Sequence, residues 1–330
     1  MSRIRVCFLG TPEFAATSLR ALLADEHFEV VGVVTQPDRP SGRKLQLTPS
    51  PVKQLAMANQ LRVVTPESLK GNPLIFAEIK KWGAEIAVVV AYGQILTEEF
   101  LQAFKLGAVN VHGSLLPLWR GAAPIQRSLE AGDRVTGVSL QKMVKRLDAG
   151  DVIAERTLEV SESMDAHELF QRLAILGADL LHVELMDYIR GNLAPKPQDE
   201  SLVTYAKKIE KAESLIDWSL SAEKLHNKVR AFTMGPGTHI QFQGKKLKIL
   251  KTKVFRNESG QLPPSKLHEA KLNPGQILAV HYEGQVVPDR LIVQCNPGFL
   301  EILEVQPESR NRMSSQEFLK GYPLQPKDLL

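Results

Sequence analysis

Asn110 and His112 stand one residue apart at the end of the apolar run Ala-Val-Asn-Val-His. In a strand, side chains two residues apart share a face, so both polar groups point the same way. An amide NH2 is a neutral donor suited to an oxygen that gains negative charge. An imidazole can take up and return a proton near neutral pH. A carboxylate beside the imidazole would orient it and stabilise its charged form. Residue type alone does not say which carboxylate of the chain that is. No His, Cys or carboxylate stands at a familiar ligand spacing from His112, so a metal is not expected.

The elements that must position these groups alternate. "RIRVCFLG", "FEVVGVVTQ", "LRVVTP", "AEIAVVVAYG" and "AVNVH" have the pattern of strands. "PEFAATSLRALLADE", "PSPVKQLAMANQ", "NPLIFAEIKKWG" and "TEEFLQAFKLG" have helical spacing. Such alternation implies an α/β domain, a mostly parallel sheet with helices on both faces, in which ligands bind outside the carboxyl ends of the strands. Pro117 cannot continue a ladder, so the chain leaves the sheet just after His112 and walls a crevice there. "GVSLQKMV" and "DVIAERTLEV" add β segments, and a long helix from Ala166 closes a domain of residues 1–190. Residues 191–205 are proline-bearing and polar, as a linker would be. Residues 206–330 hold a helix, "SAEKLHNKVRAF", then short β-like runs from "THIQFQ" to "GFLEILEVQP", and a serine-capped helix, "SSQEFLKG". That order suggests a smaller C-terminal β-barrel or sandwich.

Charge separates the two parts. Residues 206–330 carry 19 Lys+Arg against 13 Asp+Glu, leaving 22 against 24 in the first 205. A basic C-terminal domain suits a polyanionic partner. Its run Lys245, Lys246, Lys248, Lys251 and Lys253 changes phase midway, so these lysines share one face only if the strand is bulged. With no aromatic ladder among them, they suit the positioning of a phosphate backbone rather than base reading. The connection "TQPDRPSGRKLQLTP" is far longer than the roughly 2 to 6 residues usual in α/β units. Its Arg39, Arg43 and Lys44 could meet phosphates. Two cysteines at opposite ends of the chain build neither a disulfide framework nor a metal site. With neither a signal peptide nor a membrane span evident, the expectation is a reduced, cytoplasmic monomer.

The run Asn-x-His-x-Ser-Leu-Leu-Pro-x-x-x-Gly over residues 110–121 resembles the signature of the folate-dependent formyltransferases. The likeness extends through "FLGTPEFA", "TQPDRPSGRKLQLTPSPVK", "VVVAYGQIL", "RLDAGDV", "IDWSLSAEKLHNKVRAF" and "RMSSQEFLKG", and is loosest over residues 255–310. It implies a Rossmann-like N-terminal domain and an OB-like barrel. It also implies transfer of the formyl group of 10-formyltetrahydrofolate to the free amino group of methionyl initiator tRNA. The family's acid maps onto Asp148, 36 residues after His112; Asp151, three residues on, also qualifies by type, and the family pattern Asp-x-Gly selects Asp148, making Asn110, His112 and Asp148 the implied catalytic set. Ser114, Leu115, Leu116 and Pro117 would line the folate cleft, with Tyr92 and Gly93 forming the pterin wall. The long loop would reach the acceptor arm of the tRNA, Arg43 falling at the family's key arginine. The loop here is one basic residue short of the family's usual pattern.

Three other functions compete. A hydrolase passing formyl to water needs no polyanion cradle. Formyltransferases of small amines resemble the first domain only, which leaves the last 125 residues without a purpose. A non-catalytic RNA-binding module has no use for Asn110, His112 and Asp148 together.

Overall fold

The computed structural model describes residues 3–41, 46–256, 272–278, 281–282, 285–286, 290–322, 324 and 327–330. The chain begins β1 (Ile4–Gly10), α1 (Glu13–Ala24), β2 (Phe28–Val34), β3 (Arg39–Ser41), β4 (Gln46–Thr48), α2 (Pro51–Ala58), β5 (Val63–Val64) and α3 (Pro73–Lys81). There follow β6 (Ile86–Val90), α4 (Glu98–Leu101), β7 (Ala108–His112), β8 (Arg120–Gly121), α5 (Pro124–Ala131), β9 (Val135–Lys142), β10 (Val152–Glu159), α6 (Ala166–Ile189) and β11 (Tyr205–Ala206). The remainder holds α7 (Ala222–Ala231), β12 (Thr238–Phe242), β13 (Lys245–Phe255), β14 (His281–Tyr282), β15 (Gln285–Val286), β16 (Leu291–Gln294), β17 (Phe299–Pro307), β18 (Met313–Ser314) and α8 (Ser315–Gly321).

Seven strands form the main sheet in the order β10-β9-β7-β6-β1-β2-β5. Pairing is parallel from β7 through β6, β1 and β2 to β5, and antiparallel from β7 to β9 and from β9 to β10. Every residue of β6 and β7 is buried, as expected when helices cover both faces of a parallel sheet. Gly10 lets β1 turn straight into α1: a Cβ there would lie 2.6 Å from Cβ of Ala15 and 2.9 Å from the Val90 carbonyl. Ser50 caps α2 by accepting the Lys53 amide at 3.0 Å, and its hydroxyl also meets Thr35 Oγ1 at 2.8 Å, pinning the helix to the end of β2.

One expected element differs from the structure. The stretch "TEEFLQAFKLG" is helical for one turn only, because the chain then hooks back to enter β7. Leu106 donates to the Glu85 carbonyl and Ala87 to that of Gly107, whose φ of 76° lies in the left-handed region. Within the long connection after β2, β3 and β4 pair antiparallel, Arg39 opposite Thr48 and Ser41 opposite Gln46.

The chain divides into two units, Met1–Ile125, Val135–Glu159 and Glu168–Lys208 in one, Gln126–Arg134, Val160–His167 and Ile209–Leu330 in the other. Residues 191–205, expected as a linker, lie in the first. Lys196 exchanges backbone hydrogen bonds with Val152, and Tyr205–Ala206 pairs with Arg120–Gly121. In the second unit β12-β13-β17-β16 form an antiparallel sheet with β18 on β17, and β14 pairs with β15 in a separate ladder. Its core gathers Leu225 and Val229 of α7, Ile240, Leu247, Ile249 and Ile302 of the sheet, and Phe318 of α8. The register of β13 against β17 slips between Ile249 and Lys251 and again before Thr252. With Leu247, Ile249, Thr252 and Phe255 buried, Lys246, Lys248, Lys251 and Lys253 fall on the opposite face. The bulge supplies the change of phase that the lysine spacing required.

Candidate active site

Neighbouring strands β7 and β9 carry the polar side chains of the site. Asn110 is paired with Gln141 and His112 with Ser139 across the ladder, so all four share one face. All are nearly sealed from solvent: Asn110 is 9% exposed, His112 6%, Gln141 2% and Ser139 0%. Buried polar groups ordinarily find partners. Gln141 Nε2 donates to Asp148 Oδ1 at 3.1 Å, while its Oε1 is buried without a partner among the described residues.

The chain leaves β7, passes a cis Leu116–Pro117 peptide and returns as β8. On the way Trp119 adopts φ 60°, a costly conformation for a bulky residue. Its carbonyl oxygen lies 2.9 Å from His112 Nε2. A carbonyl can only accept, so Nε2 carries a hydrogen, and whenever the ring is neutral its lone pair lies on Nδ1. That nitrogen faces Asp148 Oδ2 at 3.8 Å. A lone pair and a carboxylate oxygen are both acceptors, so the gap between them suits a proton-bearing group. The orienting bond that a triad would assign to the carboxylate is made here by Trp119.

Asp148 itself sits at φ 47°. Its Oδ2 accepts the Gly121 amide at 2.8 Å and its Oδ1 the Gln141 amide. Gly150 explains the glycine of the Asp-x-Gly pattern: a Cβ there would lie 1.8 Å from the Lys142 carbonyl oxygen of β9. Only a residue without a side chain lets the turn close so tightly on the strand. Asp151, the rival by type, instead contributes its backbone carbonyl, which accepts from Lys142.

Of the residues assigned to a folate cleft, Ser114 is fully buried and donates to the Leu118 carbonyl at 2.6 Å. Ser139 Oγ accepts the Leu116 amide at 2.9 Å and directs its own proton toward the Ser114 carbonyl or Glu155 Oε1, at 2.8 and 2.7 Å. Leu115 and Pro117 are half-buried and Leu116 is buried. The segment is thus shaped by backbone bonds. The Tyr92 ring lies in the core with Leu96 and Phe100, and burial pushes its hydroxyl well above the usual tyrosine range. What Tyr92 presents at the carboxyl end of β6 is its carbonyl, which accepts from Thr11 and from Gln36. Gly93 has φ 82°, with Gln36 packed where a Cβ would stand.

Among the basic residues, Arg39 is exposed and paired with Glu67 at 3.3 Å. Arg43 and Lys44 lie outside the described residues. Lys248 and Lys251 are exposed and Lys246 half-buried, while Lys253 pairs with the buried Glu301 at 3.2 Å.

Trp119, Ser139, Gln141 and Gln198 escaped the reading of the sequence, and Gly121 entered it only as the closing glycine of the signature over residues 110–121. For Ser139 and Gln141 a signal was present: "SLQ" repeats on β9 the polar-apolar-polar alternation of "NVH" on β7. Trp119 and Gly121 act through backbone atoms, which residue type does not display.

Comparison with known proteins places this geometry. The formyl transferase family matches residues 2–184, and the C-terminal domain of formyl transferases matches residues 208–323. A methionyl-tRNA formyltransferase of Bdellovibrio bacteriovorus is 62% identical over 330 residues, covering 100% of this chain and 99% of that one. Among solved structures, an N-formyltransferase from Helicobacter canadensis in complex with folinic acid and dTDP-3-aminofucose superposes with TM-score 0.63 at 18% identity, covering 92% of this chain and 99% of that one. HypX from Aquifex aeolicus in complex with tetrahydrofolic acid gives TM-score 0.58 at 18% identity, covering 99% of this chain and 50% of that one. At such identity these two establish likeness of fold.

Proposed function

The chain belongs to the formyl transferase family, and we propose that it transfers the formyl group of 10-formyltetrahydrofolate to the free amino group of methionyl initiator tRNA. The observation that carries this reading is the notch between His112 Nδ1 and Asp148 Oδ2, two acceptors facing each other at 3.8 Å. An amine that must lose a proton while attacking a carbon fits between them. The relative at 62% identity bears the name of the same reaction over its full length.

The formyl donor supplies an acyl carbon on a nitrogen leaving group. Asn110, on the same strand face two residues before His112, directs its amide at the formyl oxygen as that oxygen gains charge. Trp119 holds the imidazole in the tautomer whose lone pair lies on Nδ1. Nδ1 takes the proton of the attacking ammonium, and the Asp148 carboxylate beside it stabilises the imidazolium. His112 then returns the proton to the departing nitrogen. The Gly121 and Gln141 donors keep the carboxylate aimed throughout. Ser114, Leu115, Leu116 and Pro117 present backbone groups to the donor, with the turn at Tyr92 and Gly93 opposite. Arg39, Arg43, Lys44, Lys246, Lys248 and Lys251 meet the phosphates of the tRNA.

The deciding experiment supplies donor labelled in its formyl group together with charged initiator tRNA, charged elongator tRNA or buffer alone. Label is expected on the methionine of the initiator. Formate released as fast without tRNA would make the chain a hydrolase and overturn the assignment.

A further inference from the structure

The chain after α6 does more than lead away from the first unit. Gln198, half-buried, uses both ends of its carboxamide. Its Oε1 accepts from Nε and Nη2 of Arg120 at 3.0 and 2.7 Å. Its Nε2 donates to the carbonyls of Asp148 and Gly150 at 2.9 and 2.7 Å. Those carbonyls flank Ala149 in the turn that carries the Asp148 carboxylate. A primary amide has two hydrogens in fixed directions, so binding one carbonyl with each fixes how the turn is rotated. The turn needs such a hold, because a non-glycine residue at φ 47° persists only when its surroundings impose it.

The other end of the clamp is equally firm. The Arg120 side chain is fully buried, and Nη2 also binds Glu200, which pairs in addition with Arg146. The hydrogen bond of Arg120 holds the Glu200 carboxyl below its usual range. The residue after Arg120 is Gly121, whose amide binds Asp148 Oδ2. Arg120, Gly121, Asp148 and Gln198 therefore close a ring. One contact sets the carboxylate and another sets the backbone behind it.

We propose that Gln198 is a positioning residue for formyl transfer, holding the Asp148 turn so that its carboxylate faces His112. The proposal rests on the catalytic reading of Asp148 given above. Gln198→Glu separates the two ends of the clamp: an oxygen still accepts from Arg120, but both N–H donors become an oxygen set against two carbonyl oxygens. In steady-state formylation the variant is expected to lose about 10- to 100-fold in kcat, the scale of a small misplacement of a reacting group. KM for donor and for tRNA stays within about twofold of the wild type, as for an interaction made only in the transition state. The defect narrows as the pH is lowered, because a protonated carboxyl can again donate to one carbonyl. Combined with Asp148→Asn, Gln198→Glu adds no further loss, and amide exchange at Gly121 accelerates in Gln198→Glu alone. Wild-type kcat in Gln198→Glu, a loss confined to the KM for tRNA, or losses that add to those of Asp148→Asn would each overturn the proposal. If Asp148→Asn itself keeps its rate, the role given to Asp148 falls instead. The Gly121 exchange then still reports whether Gln198 holds the turn.

Discussion

His112 has both ring nitrogens committed in direction. One faces a carbonyl that can only accept, and the other faces a carboxylate too far for a direct hydrogen bond, at 3.8 Å. In the proposed role Nδ1 receives the proton and the carboxylate meets the resulting charge. His112→Ala removes the base, and Asp148→Asn removes the charge that stabilises its protonated form. Each is expected to slow single-turnover formylation by about 10²- to 10⁴-fold with folding intact by circular dichroism. A near-normal rate in either variant rejects its role. Asn110→Ala, which takes away one oxyanion donor, should cost about 10²- to 10³-fold in the same step. The Asn-x-His spacing was visible in the sequence as two polar side chains on one strand face. Which ring nitrogen meets a carbonyl was not, because the backbone of Trp119 decides it.

The elements that deliver these groups are two strands and two turns. Alternation along β7 and β9 is local physics, so which residues share a face could be read directly from spacing. That β9 runs antiparallel beside β7, with Gln141 opposite Asn110, depends on the path of the chain between them. Gly150→Ala tests the turn: its Cβ would collide with the Lys142 carbonyl at 1.8 Å, so either β9 or the Asp148 loop must move. The variant should lose about 1–3 kcal/mol in stability, the usual scale of overpacking, and a larger share of kcat than His112-independent donor binding. In the second unit His226 of α7 tests a buried element. Its Nε2 donates to the Glu162 carbonyl at 2.9 Å, and its Nδ1 meets Thr252 Oγ1 at 3.0 Å. Burial first, and the nearby Arg230 and Arg256 cations after it, hold its pKa below 6.5, against the opposing pull of Glu162. The unfolded chain therefore binds this proton at a higher pH than the folded one. Stability is complete above the unfolded value and falls as the pH drops through the depressed folded value. A Tm measured from about pH 7.5 to about pH 5 should decline, and His226→Gln should make that decline shallower.

Across the whole molecule the charge is divided as the sequence shows, with 19 basic residues against 13 acidic ones in residues 206–330. The two slips in β13 put Lys246, Lys248, Lys251 and Lys253 on one face of its sheet. Lys253 is partly neutralised by Glu301, which leaves Lys248 and Lys251 as the exposed pair. If each meets a phosphate, Lys248→Gln and Lys251→Gln should each reduce the slope of log affinity for tRNA against log salt by about 1. Donor affinity should not change. An unaltered slope in both would remove this face from the tRNA interface.

Composition, strand alternation and the capping and turn residues act over a few neighbours, and from them the α/β class, the basic C-terminal part and the shared face of Asn110 and His112 followed without coordinates. The choice of Asp148 over Asp151 came from a pattern shared with a family. Its counterpart in space, Asp148 Oδ2 facing His112 Nδ1 at 3.8 Å, appears only in three dimensions. The single turn of α4, the partner of each imidazole nitrogen and the clamp from Gln198 depend on segments distant in sequence. Gln198 lies 50 residues beyond Asp148 and 78 beyond Arg120. Local periodicity carries no record of such meetings, because the chain between them determines where they occur.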